Sequence, residues 1–262
     1  MSNVEKLIYT EFNEGGKEIM LRDKIKNDIY FNKFINYEEK RIEKFLLLVE
    51  KVIEERGKDD KGVKNGYIAL QGYHFNKLRA MYSAGCSIQT IRDFLPEVIN
   101  IMEKVWNKES GYIRMLWIIS IAVMLNVEDK EFNRLIAMVR KEGLNDYLIN
   151  YFIAFRNSEP SDFYEQSEFY VKYPYFKLKE VIESNKISQE NSIKNLEKYI
   201  KEYWYKGHLE EAWYDAHENK HDIYSGYWSF ESGAIAKILK LDDSTLKDSS
   251  YYPYDMVHCQ EK

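Results

Sequence analysis

Apolar residues recur at intervals of three and four along most of the chain, the spacing of one face of an amphipathic α-helix. The clearest example covers residues 20–57, where apolar positions such as Ile25, Phe34 and Ile42 alternate with lysine and glutamate. This pattern stops at Gly57, and glycine commonly follows the last turn of a helix. The segment therefore predicts one long helix, or two in succession.

Five more helices are predicted before residue 156. They cover residues 67–84, 88–106, 112–125, 129–141 and 147–155. Ser87 is a suitable N-cap for the second of them, and Pro96 inside it predicts a kink or a division of the helix. The short connections predict antiparallel packing of successive helices.

Residues 156–168, RNSEPSDFYEQSE, combine turn-forming and acidic residues without an apolar period, which is typical of a linker. Further helices are predicted afterwards at 176–183, 189–204, 209–217 and 227–240. The remaining tail, which contains Pro253, predicts irregular structure held by its tyrosines. We therefore predict two domains, residues 16–157 and 158–262.

The alternating pattern of β-strands is nearly missing, and the chain contains only 4 prolines and 12 glycines. The predicted fold class is all-α: a two-domain helical bundle, loosely similar to helical repeats, with an irregular C-terminal tail. Residues 115–125, MLWIISIAVML, form the most hydrophobic stretch, but a membrane span needs about 20 apolar residues. We interpret this stretch as a buried core helix, and no membrane partner is expected.

The charge distribution is uneven. The net charge of −5 divides into +2 for residues 1–157 and −7 for residues 158–262. An acidic half repels phosphate backbones and attracts basic partners. This distribution argues against nucleic-acid binding and favours a protein partner.

The two cysteines, Cys86 and Cys259, form neither a CxxC pair nor a disulfide framework. The N-terminus, MSNVEKLIYTEFNEGG, lacks the basic start and apolar centre of a signal peptide. We therefore expect a cytoplasmic protein. No cofactor is expected, since neither a P-loop nor a G-x-S-x-G motif occurs and no other nucleophile has a flanking signature.

One segment, HENKH at residues 217–221, matches the H-E-x-x-H pattern of zinc metalloproteases. Two histidines four residues apart could bind a metal on one helical turn, with Glu218 as general base. However, polar residues fill the middle, and Ser225–Gly226 follows as a turn, which is more typical of a solvated helix end. A metal-dependent hydrolase using His217, Glu218 and His221 is therefore kept as an alternative only.

The aromatic groups at residues 203–205, 213–214 and 227–228 could stack on nucleic-acid bases. Their surroundings are acidic, which removes the attraction for a phosphate backbone. Core and interface roles are favoured instead.

The C-terminal segment 226–258, GYWSFESGAIAKILKLDDSTLKDSSYYPYDMVH, resembles the C-terminal domain of PoNi-type immunity proteins. The preceding WYDAH and the N-terminal LRDKIKNDIYFNKFINYEEKRIEKF, residues 21–45, are similar to the matching parts of that family. Two departures are visible. Ser232–Gly233 replaces expected alanines, and Lys240 lies near an expected glycine.

The resemblance implies an all-helical, non-enzymatic protein that binds and neutralises a cognate PoNe-type DNase toxin exported by type VI or type VII secretion. A helical scaffold for some other protein is the remaining alternative. The motif residues are expected to maintain the fold: Tyr227, Trp228, Glu231, Asp242, Asp243, Tyr252, Pro253, Tyr254 and Asp255. The toxin is expected to contact acidic helix faces instead, and the candidates are Glu210, Glu211, Asp215, Glu218 and Asp222.

Overall fold

The structure is a computed structural model that describes residues 21–259. Eleven α-helices occupy these residues, and no strand occurs among them. In chain order they are α1 Asp28–Arg56, α2 Lys61–Ser83, α3 Ile88–Val105, α4 Lys108–Met124, α5 Asp129–Lys141, α6 Tyr147–Asn157, α7 Asp162–Glu165, α8 Phe176–Asn185, α9 Gln189–Lys198, α10 Phe230–Leu239 and α11 Tyr254–Val257. The prediction of an all-α fold is confirmed.

Side-chain caps fix the starts of several helices. At the start of α3, the Ser87 hydroxyl accepts a hydrogen bond from the backbone N–H of Thr90 at 3.0 Å, as the sequence predicted. Asn27 caps α1 in the same manner through the N–H of Tyr30 at 2.9 Å. Pro96 does not divide α3, which continues to Val105 as one helix.

Helix α4 lies at the centre of the bundle. Its apolar residues leave no polar face, and side chains such as Leu116, Ile118 and Ile119 are completely buried. A helix that is hydrophobic all round is surrounded by other elements, and α4 packs against α5, α6, α10 and α11. The predicted core helix is therefore confirmed. None of the helices within residues 21–259 combines the length and hydrophobicity that crossing a bilayer requires.

One hydrophobic core extends through both predicted domains. It begins at Phe31 on α1 and ends at Val257 on α11, and α4 of the first half packs directly on α10 of the second. A smaller cluster around Val49 and Leu70 joins α1 and α2. The boundary between residues 157 and 158 stays a prediction, and the described helices on its two sides share one core.

The chain between α9 and α10 departs from the predicted helices. A π-helical turn, Tyr199–Trp204, follows α9, and short 3-10 turns come next at Lys206–His208 and Ala216–Glu218. Residues 223–229 have no regular secondary structure, and α10 begins at Phe230 and not at residue 227. The predicted linker contains the short helix α7. The C-terminal tail is irregular, apart from a 3-10 turn at Ser244–Leu246 and α11.

Candidate partner-binding surface

The five acidic side chains predicted to contact a partner lie on residues 209–223, here named the acidic loop. Four are exposed and one, Glu211, is half-buried. The exposed four are Glu210, Asp215, Glu218 and Asp222. The predicted helix over 209–217 is wrong, because these residues form turns, and Asp215 adopts a left-handed backbone with φ of 52°. The acids therefore project from a loop and not from a helix face.

Tyrosine hydroxyl groups anchor the acidic loop at several points. Tyr205 donates a hydrogen bond to Asp215 Oδ1 at 2.6 Å. The backbone N–H of His217 donates to Tyr227 Oη at 3.2 Å. At the end of the loop, Tyr30 donates to the carbonyl of Tyr224 at 2.8 Å and accepts from its N–H at 3.0 Å. Although irregular, the loop is tied to Tyr205 before it, to Tyr227 after it and, through Tyr224, to Tyr30 on α1.

A layer of aromatic rings lies beneath the loop. The ring of Trp213 is 5.7 Å from those of Trp117 and Trp204, and Tyr214 stacks on Tyr205 at 4.5 Å. Such rings bury large apolar areas with little conformational freedom. They explain why this segment is not helical, because packing its aromatic side chains in this layer stabilises the fold more than helix formation would.

The HENKH segment does not have the geometry that a zinc helix needs. Only Ala216–Glu218 is helical, as a single 3-10 turn, and Asn219 is extended, so His217 and His221 do not share a helical face. His217 Nδ1 lies 2.9 Å from Tyr227 Oη, and His221 is exposed. Within residues 21–259 no group of three or more potential ligands is placed to bind a metal ion. Nothing in this arrangement favours the metal-hydrolase alternative.

The N-terminal Arg22–Asp23 pair contacts the C-terminal part of the chain. Arg22 Nε donates to Asp255 Oδ2 at 2.6 Å. Asp23 is buried and accepts the hydroxyl of Tyr224 at 2.5 Å. These two contacts hold the first described residues against both the tail and the end of the acidic loop.

The C-terminal motif residues are joined by a second polar cluster. Asp243 is almost completely buried, and it accepts hydrogen bonds from Tyr252 Oη and from His258 Nε2, the latter at 2.7 Å. Its neighbour Asp242 is exposed and accepts the N–H of Ser244 at 3.3 Å. The structural role expected for the motif agrees with these positions and stays a prediction.

The remaining motif residues line the contact between α10 and its neighbours. Trp228 Nε1 donates to Ser83 Oγ at 2.9 Å. Pro253 packs so closely on Gly233 that an added Cβ there would lie 2.6 Å from Pro253 Cγ. Since the alanine expected at this position would overlap the proline ring, this glycine suits the packing of its own chain.

Glu231 is a fully buried carboxylic acid at the start of α10. Its Oε1 accepts hydrogen bonds from Tyr199 Oη at 2.9 Å and Ser229 Oγ at 2.7 Å. Burial raises the pKa of Glu231 above its ordinary value, since the charged form loses its hydration. The side chain belongs to the core hydrogen-bond network and does not reach the surface.

Sequence reasoning missed two arginines close to the acidic loop, Arg79 on α2 and Arg114 on α4. Arg79 is 8% exposed, and Arg114 is half-buried. Helical periodicity predicts only that each is a charged residue on a helix, and it does not predict which groups surround it. No short motif marks them, because what distinguishes them is that no carboxylate contacts them in the folded chain.

These observations define an all-helical protein that presents an acidic loop on an aromatic layer. The chain belongs to the PoNi family: residues 22–137 match the family described as "PoNe immunity protein (PoNi), N-terminal", and residues 144–256 match "PoNe immunity proteins (PoNi), C-terminal". The resemblance stated from the sequence is confirmed.

Among solved structures, the chain is similar to "The Crystal Structure of Protein PA2201 from Pseudomonas aeruginosa". The sequences are 12% identical, the TM-score is 0.60, and the alignment covers 98% of this chain and 96% of the other. This likeness shows a shared fold. A comparison with curated proteins finds no match.

Proposed function

We propose that this chain binds and neutralises a cognate secreted DNase toxin of the PoNe type, and that the acidic loop covers the DNA-binding face of the nuclease. The family indicates an immunity protein against PoNe nuclease toxins. Membership of such a family implies a non-enzymatic role. We propose that this chain acts in the cytoplasm and that the toxin is exported by a type VI or type VII secretion system.

The observation that carries this proposal is the exposure of Glu210, Asp215, Glu218 and Asp222 on one anchored loop. A nuclease must attract a polyanion, so its substrate-binding face is basic. An acidic surface of complementary potential accelerates association with such a face and competes with DNA for it. Because the loop is tied down by tyrosines, little conformational entropy is lost on binding.

The test compares two charge-reversed variants with the wild type for inhibition of the DNase domain encoded beside this gene. The loop variant carries Glu210→Lys, Glu218→Lys and Asp222→Lys, and leaves Asp215 intact because Tyr205 bonds to it. The matched control carries Glu43→Lys, Glu50→Lys and Glu54→Lys on the exposed side of α1, with the same change in net charge.

We expect the loop variant to associate at least about tenfold more slowly at low salt, and this deficit to shrink as salt rises. The control variant should behave as the wild type does. Equal inhibition and equal salt dependence for the two variants would contradict a role for the acidic loop.

A further inference from the structure

Arg79 and Arg114 carry positive charge at positions where no carboxylate contacts them, although the charges of Glu38 and Glu211 act on them from a greater distance. Throughout residues 21–259, neither guanidinium has a carboxylate oxygen within 4.0 Å. Four other arginines each contact a carboxylate at 3.1 Å or less, and these are Arg22, Arg41, Arg134 and Arg156. Half-buried Arg92 also lacks a contacting carboxylate, but its Nη2 donates to the Leu125 carbonyl at 2.9 Å. Within residues 21–259, Arg79 is the one arginine in the buried class, and no carboxylate contacts it.

The hydrogen bonds of the two arginines go to neutral amides. Arg79 Nη2 donates to Asn76 Oδ1 at 3.1 Å, and Arg114 Nη1 donates to Gln71 Oε1 at 3.1 Å. Two further donors in this group, Arg79 Nε and Gln71 Nε2, are sealed from solvent without a partner. Arg79 Nη1 and Arg114 Nη2 also make no hydrogen bond, but they are not sealed. Arg79, Arg114 and Gln71 therefore have hydrogen-bond donors for which the surrounding residues provide no acceptor.

The two charges also act on each other. Burial, and secondly the charge of Arg114, lower the pKa of Arg79 to about 10, so Arg79 remains protonated at neutral pH. Burial likewise lowers the pKa of Arg114. A desolvated cation without a partner is unfavourable in an isolated protein. Sites that break this rule are commonly functional, since a ligand supplies what the fold lacks.

The arginine pair lies under the proposed partner-binding surface. The guanidinium of Arg79 is 5.4 Å from the ring centre of Trp117, and this ring contacts Trp213 of the acidic loop at 5.7 Å. The half-buried Glu211 of the same loop is the acidic side chain whose charge acts on Arg114. The charge of Arg114 also acts on Arg79, so the two guanidinium groups lie near each other and near the loop.

We propose that Arg79 and Arg114 form a receptor site for a carboxylate side chain of the partner protein, an Asp or Glu that inserts beside the acidic loop when the complex forms. This inference rests on the proposed function. A guanidinium binds a carboxylate through two parallel hydrogen bonds, which gives direction as well as attraction. The acidic loop around the site disfavours a nucleic-acid strand, whose successive phosphates would meet Glu210 and Asp222, whereas one carboxylate need not approach them.

The test measures the affinity of this chain for the neighbouring DNase domain by titration calorimetry. Arg114→Gln and Arg79→Gln remove the charges, and each should weaken binding about 30-fold or more, the typical effect of truncating one member of a buried charged pair. Arg114→Lys keeps the charge but not the paired hydrogen bonds and should fall between. The control Arg140→Gln removes an exposed charge on α5 and should change affinity less than threefold.

A second measurement distinguishes binding from a structural role. In the isolated protein, Arg114→Met should raise the melting temperature, because it removes a partly desolvated charge that no carboxylate contacts, while it weakens the complex. If Arg114→Met lowers the melting temperature and leaves affinity unchanged, the arginine is structural and the inference is wrong.

The remaining outcomes separate this inference from the function on which it depends. If the wild type does not bind the nuclease, the proposed function fails and the inference fails with it. If the wild type binds and both Arg→Gln variants bind equally well, only the inference fails. Fluorescence anisotropy with a duplex oligonucleotide should show no binding; binding that Arg114→Gln abolishes would identify a phosphate site and overturn the proposal.

Discussion

Arg22 Nε lies 2.6 Å from Asp255 Oδ2, although 233 residues separate them in the sequence. The same guanidinium donates from Nη1 to the carbonyls of Tyr82 and Cys86 at 3.0 and 2.9 Å. One side chain thus joins the N-terminal family motif, the end of α2 and the C-terminal motif. Its partner carboxylate has a side chain 41% exposed, so the pair is partly screened by solvent.

Loss of this connection should destabilise the whole fold. Arg22→Ala is expected to reduce the free energy of unfolding by about 2 kcal/mol, because three hydrogen bonds from a charged donor disappear. A double-mutant cycle with Asp255→Ala, measured by urea unfolding, should give a coupling energy of about 1 kcal/mol. The control cycle uses Arg156 and Asp129, where the aspartate is 85% exposed, and should give less than about 0.5 kcal/mol. Additive effects in the first cycle would contradict a direct connection.

His208 should make stability depend on pH. Burial lowers the pKa of His208 to about 4. Its Nδ1 donates to the Trp204 carbonyl at 2.5 Å, so in the neutral ring Nε2 accepts from the Tyr175 hydroxyl at 2.8 Å. In the unfolded chain this histidine binds a proton below about pH 6.5. The stabilisation by the neutral His208 ring is therefore complete above that pH and is lost as the pH falls towards 4.

Lowering the pH from 7 to 5 should therefore reduce the free energy of unfolding by about 2 kcal/mol through this histidine. Urea unfolding at both pH values should show that His208→Gln lacks this reduction. His221→Gln changes an exposed histidine and should keep the pH dependence of the wild type. If His208→Gln keeps it as well, His208 is not the group responsible.

Lys240 ends α10 in a left-handed conformation, with φ of 51°. Glycine adopts this conformation without steric cost, and the family resemblance places a glycine near this position. Lys240→Gly should therefore raise the free energy of unfolding by about 1 kcal/mol. Lys247→Gly is the matched control, because φ there is −48° and glycine should bring no gain. A lower melting temperature for Lys240→Gly than for the wild type would show that the lysine side chain matters more than its backbone.

The helices of the first half were predictable because their signals are local. Helix α5 begins and ends at the predicted residues, and α3 begins after the predicted cap Ser87. Residues 209–217 of the acidic loop are predicted as a helix because their composition suits one, but they form turns. The course of the loop is decided by contacts with distant rings, such as that of Trp213 with Trp117, which helical periodicity does not encode.

The candidate site was only partly predictable for the same reason. Acidic residues 210–222 could be identified from charge alone. The inward position of Glu211 and the unpaired state of Arg79 and Arg114 depend on which carboxylates the fold brings near, and no sequence interval marks that.

A titration of DNA cleavage tests most directly whether this chain neutralises a DNase. Increasing amounts of the protein are added to a fixed amount of the DNase domain encoded beside its gene, and the cleavage rate is followed. We expect complete inhibition near one equivalent of the protein. Undiminished cleavage at a large molar excess, with no complex detected by calorimetry, would contradict the proposed function.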